Sequence, residues 1–234
     1  LIVDTGSSDV VIDRRRRDLD TQATFHGKGD DGVHTVGITA RSAVPVQIGS
    51  FRTTVSRVVF LDWDASSSRT YHVDGVLSPE RLTTTSAVLF DLVHRRLRFF
   101  ATTSEMLEWI RERRGTAMRL PVRDGEGRPL IPARAGSRGI VWVGIDTGSA
   151  QTSFPPGYFD GLTPIRRASH VGASGVGRTD AVYGTQIVVV GGIPTRLHRV
   201  MTEPVPAVGT DVLAGYAIAL PRGRLDHLWL VRTL

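Results

Sequence analysis

The sequence predicts an all-β protein made of two copies of one unit, joined by a single helix. Three observations carry this. The tetrapeptide Asp-Thr-Gly-Ser stands at residues 4–7 and again at 146–149, an offset of 142, each time entered from an apolar run (Leu1-Ile2-Val3 and Val143-Gly144-Ile145). The same offset lays Val46-Gln47-Ile48-Gly49-Ser50 over Val188-Val189-Val190-Gly191-Gly192, and Arg57-Val58-Val59 over Arg199-Val200-Met201. Between the copies lies the one stretch with helical periodicity. Repetition at fixed spacing marks duplicated structure, and one such tetrapeptide has a chance of only about a few in a thousand in a chain of this length.

Each copy reads as strands and turns. Val44 to Ile48 and Thr54 to Leu61 are β-branched runs with partial alternation, joined by Gly49-Ser50. Gln186 to Val190, then Gly191-Gly192, then Leu197 to Met201 repeat the hairpin. Thr102 to Glu105 has capping-box spacing, Met106, Leu107, Trp109 and Ile110 give an apolar side, and Gly115 is a natural stop. These predict a helix over Thr103–Arg114 that packs under the first copy. Leu120 to Val122 and Ile140 to Ile145 then resume strand character. Late in the chain the offset contracts to 137, where Asp74-Gly75-Val76-Leu77-Ser78 matches Asp211-Val212-Leu213-Ala214-Gly215, and to 135, where Leu89-Phe90-Asp91 matches Arg224-Leu225-Asp226. The expected organisation is an N-terminal lobe over 1–100, a linker helix over 101–118 and a C-terminal lobe over 119–234.

Composition excludes several classes of function. The 234 residues carry no cysteine, which removes disulfide scaffolds, thiol nucleophiles and cysteine-held metals. The formal charge of +6 rests on 29 cationic residues of which only Lys28 is lysine, a skew that a GC-rich genome produces. Arg14-Arg15-Arg16-Arg17 is bracketed by Asp13, Asp18 and Asp20, and the other arginine clusters are scattered and poor in aromatics, so no nucleic-acid partner is expected. No apolar run approaches the ~20 residues of a membrane span. Gly27 to Gly32 formally fits G-x-G-x-x-G, yet Val33 to Thr39 alternates like a strand instead of opening a helix, so no dinucleotide loop is read. The seven histidines lack zinc spacing, and Ser174 lacks a nucleophile elbow, so no metal and no serine nucleophile are expected.

The repeated tetrapeptide suits one task. An aspartate leaving an apolar strand is held by its backbone, while Gly6 and Gly148 let another chain segment approach without a Cβ in the way. Ser7 and Ser149 can donate to a carboxylate, and Thr5 and Thr147 can bond inward to pin two loops together. If the copies pack face to face, Asp4 and Asp146 meet, and two carboxylates about 3 Å apart share one proton.

These residues resemble the pepsin-superfamily aspartic peptidases, specifically a bacterial retropepsin-like tandem. The resemblance rests on the two Asp-Thr-Gly-Ser motifs and on the late motifs Val76-Leu77-Ser78 and Leu213-Ala214-Gly215, each followed by an Asp-containing terminal strand pair at Phe90-Asp91 and Leu225-Asp226. It implies a two-lobed acid-protease fold with pseudo-twofold symmetry and peptide-bond hydrolysis by Asp4 and Asp146. Thr5, Gly6, Ser7, Thr147, Gly148 and Ser149 would support the pair, with no cofactor and no metal. It further implies glycine-bearing flaps, assigned by position to Gly27, Gly29, Gly172 and Gly175, and a monomer whose two copies act as an intrachain pseudo-dimer on a peptide or protein substrate. Ser78 stands where the family has glycine, and the flap segments do not match one another. An inactive module that binds extended peptides or a protein partner is the alternative these departures leave open. Only three residues precede Asp4, where family members have an earlier strand, so a leading segment is expected to be missing, and with it any export signal or envelope anchor.

Overall fold

A computed structural model of the chain describes residues 2–13, 23–28, 35–61, 75–113, 115–125, 128–171 and 177–232. The fold is sheet-dominated, with parallel and antiparallel pairing and few, short helices. In the first half, one six-stranded sheet runs in the order Ile2–Val3, Gly75–Leu77, Val10–Asp13, Phe51–Leu61, Thr35–Ile48, Ala23–Lys28. Ile2–Val3 pairs parallel with Gly75–Leu77, and Val10–Asp13 pairs parallel with Phe51–Leu61. In the second half the corresponding strands divide between two sheets. Val141–Ile145 lies between Pro129–Ala135 and Ala207–Val208, while Ser153–Phe154, Val200–Thr202, Gly177–Tyr183 and Arg166–Val171 form a separate four-stranded sheet.

The pairing registers repeat at the offset of 142. Val11 opposite Val59 corresponds to Ser153 opposite Met201. Ala40 opposite Val59 corresponds to Val182 opposite Met201, and Val46 opposite Thr53 to Val188 opposite Thr195. Both expected hairpins form, but the second strand of the first starts earlier, at Phe51, and that of the second is Ile193–Leu197 in place of the expected Leu197 to Met201. Phe51 pairs directly with Ile48 across Gly49-Ser50, and Ile193 pairs with Val190 across Gly191-Gly192. Gly191 and Gly192 both have positive φ, +56° and +92°, a conformation that glycine adopts without a Cβ penalty. The second hairpin strand ends at Leu197, and Val200–Thr202 joins the other sheet, whereas Phe51–Leu61 runs unbroken through both roles.

A third grouping joins segments from both ends of the chain. Its five strands run Arg96–Phe100, Ala87–Asp91, Tyr216–Leu220, His227–Arg232, Thr116–Pro121. At its centre Phe90 lies opposite Ile218, and Leu89 opposite Ala219. The expected helix spans Thr103–Glu112. Its N-cap Thr102 accepts from the Glu105 N–H at 3.1 Å, and the Glu105 carboxylate accepts from the N–H of Ala101, one residue before the cap, at 3.0 Å, a capping box shifted by one residue on its carboxylate side. The helix does not pack under the first copy alone. Met106 and Ile110 are buried against Ala87 and Leu89 from one half and against Ala217, Ala219, Trp229 and Val231 from the other. Strand alternation sends Val88, Ile218, Leu220, Leu228 and Leu230 to the opposite face of this sheet, into the main core with Val10, Phe60, Ile131 and Ile145.

Candidate functional site

Asp4 and Asp146 each sit where a short strand ends against a parallel neighbour. The Asp4 N–H donates to the Leu77 carbonyl at 3.0 Å, and the Asp146 N–H donates to the Val208 carbonyl at 3.0 Å. Just beyond, the chain turns around each carboxylate. Gly6 N–H donates to Asp4 Oδ1 at 2.7 Å; Gly148 and Ser149 N–H donate to Asp146 Oδ1 at 2.8 and 3.0 Å.

The two turns interlock. Thr5 N–H donates to Thr147 Oγ1 at 3.1 Å, and Thr147 N–H donates to Thr5 Oγ1 at 3.2 Å. The Thr147 hydroxyl in turn donates to the Val3 carbonyl at 3.2 Å, and Gly148 N–H reaches Asp4 Oδ1 at 3.1 Å. Thr5 and Thr147 thus pin the loops as expected. The glycines are required by space: a Cβ on Gly6 would lie 2.5 Å from Asp146 Cγ, and one on Gly148 would lie 2.7 Å from Asp4 Oδ2. Ser7 and Ser149 depart from expectation. Their hydroxyls donate to the Asp9 and Gln151 carbonyls at 2.8 and 2.9 Å, closing the loops, and only the Ser149 backbone serves a carboxylate.

Burial and the neighbouring Asp146 charge push the Asp4 carboxyl up to about 7, reinforced by a hydrogen bond between the two carboxyls. The Gly6 and Gly148 N–H groups pull the other way. Gly148 N–H thus serves both carboxyls, Asp4 Oδ1 at 3.1 Å and Asp146 Oδ1 at 2.8 Å, which sets the two acids around one donor; burial is the larger cause of the rise at Asp4.

The late motif lies elsewhere than the sequence comparison places it. The strand pairing with Val141–Ile145 as Gly75–Leu77 pairs with Ile2–Val3 is Ala207–Val208, not Leu213-Ala214. Ser78-Pro79-Glu80-Arg81-Leu82 thus corresponds to Gly209-Thr210-Asp211-Val212-Leu213, an offset of 131, each forming one helical turn whose leucine is fully buried. A Cβ on Gly209 would lie 2.6 Å from the Gln151 carbonyl carbon, whereas Ser78 accommodates its side chain. Asp226 precedes the strand His227–Arg232, while Asp91 ends Ala87–Asp91, so these two aspartates are not equivalent either.

Three partners of the site escaped the sequence reading. Asp9, almost fully buried, pairs with Arg57 and with Arg81 at 3.0 Å, and Arg81 Nε donates to the Ser8 carbonyl at 2.6 Å. Asp211 accepts from the Thr152 N–H at 2.9 Å and from its hydroxyl at 2.6 Å, and Gly209 N–H donates to the same hydroxyl oxygen at 3.1 Å. Glu80 accepts from the Ser78 hydroxyl at 2.6 Å. The shared pattern acid-x-Leu, one residue beyond the position of Ser78 or Gly209 plus one, was the signal that could have found the last two.

Of the proposed flap residues, Gly27 lies in Ala23–Lys28 opposite Val36; Gly29, Gly172 and Gly175, like Asp74, lie outside the described residues. The strands flanking those positions are antiparallel pairs, with Lys28 opposite Thr35 and Val171 opposite Gly177. Among the described residues, no three His, Asp or Glu side chains gather as a metal site, and no helix is long and apolar enough to cross a membrane. No family model matches the chain, and none of the curated proteins compared with it matches.

Proposed function

We propose that the chain is an aspartic endopeptidase whose two halves form the lobes of a pseudo-twofold acid-protease fold, with Asp4 and Asp146 as its catalytic pair. The observation that carries this is the reciprocal interlock of the two Asp-Thr-Gly turns, in which each threonine hydroxyl holds the other loop's backbone and one Gly148 N–H serves both carboxyls. Two carboxyls in contact retain one proton between them. The ionised partner takes a proton from a water whose oxygen attacks the scissile carbonyl carbon. The protonated partner gives its proton to the carbonyl oxygen, yielding a neutral gem-diol. Collapse breaks the C–N bond as a proton passes to the amide nitrogen, and the pair is restored with one proton. The raised Asp4 carboxyl supports this chemistry, because proton retention by the pair up to about pH 7 covers acid to neutral conditions.

The test is cleavage of casein or an extended peptide from about pH 3 to about pH 7 by the full chain, Asp4→Asn and Asp146→Asn. Loss of turnover in both variants is expected. Turnover retained in both refutes the assignment, and peptide binding without turnover by the unmodified chain favours the peptide-binding module.

A further inference from the structure

The two halves place an acid at the same point behind the site but treat it differently. In the second half Asp211 is exposed, and each of its oxygens receives a donor from Thr152. In the first half the residue at the Thr152 position is Val10, as the registers Val10 opposite Val58 and Ser153 opposite Met201 require. Valine has no hydroxyl to donate. The acid is Glu80, one methylene longer, and its Oε2 takes the hydroxyl of Ser78, the residue standing where the other half has Gly209. Glu80 Oε1 is sealed from solvent and has no hydrogen-bond partner.

An ionised carboxylate needs donors on both oxygens when it is removed from water; a protonated one does not carry that demand. The charged groups around Glu80 do not supply it. Asp4 opposes its ionisation, and Arg81, its neighbour in sequence, is engaged by Asp9 and the Ser8 carbonyl. Beyond it lies a cavity of about 350 Å³ whose wall includes Asp124 and Arg128 from one segment and Arg224 and Asp226 from another, two charges of each sign. Burial is the largest influence on Glu80 and lifts it to about 8, against weaker lowering by the Ser78 hydroxyl, its own backbone N–H and Arg81.

We propose that Glu80 is a proton-bearing positioning acid behind Asp4. Neutral, it packs the turn Pro79–Leu82 in place; ionised, it loosens that turn and with it the Leu77 carbonyl that anchors the Asp4 backbone. Glu80 touches no substrate and acts through Asp4. The second half lacks the device, because both oxygens of Asp211 are supplied with donors.

The inference rests on the peptidase reading only for its activity arm, so its structural arm is measured without substrate. Thermal unfolding and the infrared carboxylic-acid stretch are followed from about pH 5 to about pH 9 for the full chain, Glu80→Gln and Asp211→Asn. At about pH 6 the wild-type spectrum should hold, besides the contribution of the Asp4–Asp146 pair, a second protonated-carboxyl band that is absent from Glu80→Gln. Glu80→Gln should keep kcat/KM within about twofold at about pH 5 and lose less stability than wild type toward about pH 9. Asp211→Asn should be weakened at every pH. A missing band, parallel stability profiles of wild type and Glu80→Gln, or equal pH dependence in Glu80→Gln and Asp211→Asn overturns the inference. Should Glu80→Gln fail to fold, Glu80→Met, an apolar side chain of similar length, takes its place in the same comparison. Loss of turnover in all proteins, with these spectroscopic and thermal results intact, refutes the peptidase reading and leaves the role of Glu80 standing.

Discussion

Replacing Thr147 by valine should cost more stability than replacing Thr5, although the two residues occupy matching positions. Valine matches the shape of threonine and deletes only the hydroxyl. At Thr147 that hydroxyl accepts from Thr5 N–H and donates to the Val3 carbonyl; at Thr5 it accepts from Thr147 N–H. Thr147→Val therefore removes two hydrogen bonds, each worth about 1 kcal/mol net. It also strands the N–H of Thr5, a residue with 0% exposure, and an unsatisfied buried donor costs about 1–3 kcal/mol. Thr5→Val removes one bond and strands the N–H of Thr147, which is only half-buried and can turn to water. The expected losses are about 3–5 kcal/mol for Thr147→Val and about 1–2 kcal/mol for Thr5→Val. Urea unfolding at fixed pH measures both, with equal m-values required so that the midpoints report stability alone. Equal losses, or a larger loss at Thr5, would refute the argument that the interlock is unequal.

Stability should also fall as pH rises toward neutrality. The Asp4 carboxyl is raised above its ordinary value of 3.8 to about 7, so its contribution is complete below about pH 3.8 and is lost as pH rises through about 7. Asp4→Asn should flatten that part of the profile of unfolding free energy against pH, and a slope unchanged by the substitution would contradict the assignment. Gly209→Ala should destabilise by about 3 kcal/mol in the same urea assay, because the added Cβ meets backbone atoms of Gln151, which yield less readily than a side chain. A loss below about 0.5 kcal/mol would show that the Gln151 segment moves freely.

What could be read in the sequence divides by physical constraint. The offset of 142 holds from Asp4 through Val59 and across both hairpins, because a one-residue change inside a paired region would turn every following side chain to the wrong face. Residue similarity along such stretches therefore reports structure. Beyond Leu61 the constraint lapses. Thirteen residues separate Leu61 from Gly75, while four separate Thr202 from Ala207, and unequal spacing between strands carries no register. Similarity alone then aligned Val76-Leu77-Ser78 with Leu213-Ala214-Gly215, six residues away from the strand that occupies the matching place. The five-stranded sheet was illegible for a related reason: pairing Leu89 with Ala219 spans 130 residues and leaves no local signal. Nothing in the sequence sets Glu80 apart from any acid in the first turn of a short helix. Only the tertiary fold seals its Oε1.

Backbone register and side-chain chemistry thus diverge at different rates in the two halves, and the divergence is coherent. Exchange of a hydroxyl for a methyl distinguishes Val10 from Thr152 and removes one of the two donors that fix Asp211. Exchange of hydrogen for a hydroxymethyl distinguishes Ser78 from Gly209 and supplies a new donor from the opposite side. The extra methylene of Glu80 then lets its carboxyl accept that donor, which leaves Oε1 facing none. Each difference is small in volume, so the buried Leu82 and Leu213 keep their places and the strand ends still deliver Asp4 and Asp146 to one point. What changes is how the fold meets the acid behind each aspartate: donors on both oxygens of Asp211 behind Asp146, a donor on one oxygen of Glu80 behind Asp4. A pair of carboxyls held by matching backbones is made unequal in this way from beneath, without disturbing the interlocked turns that bring it together.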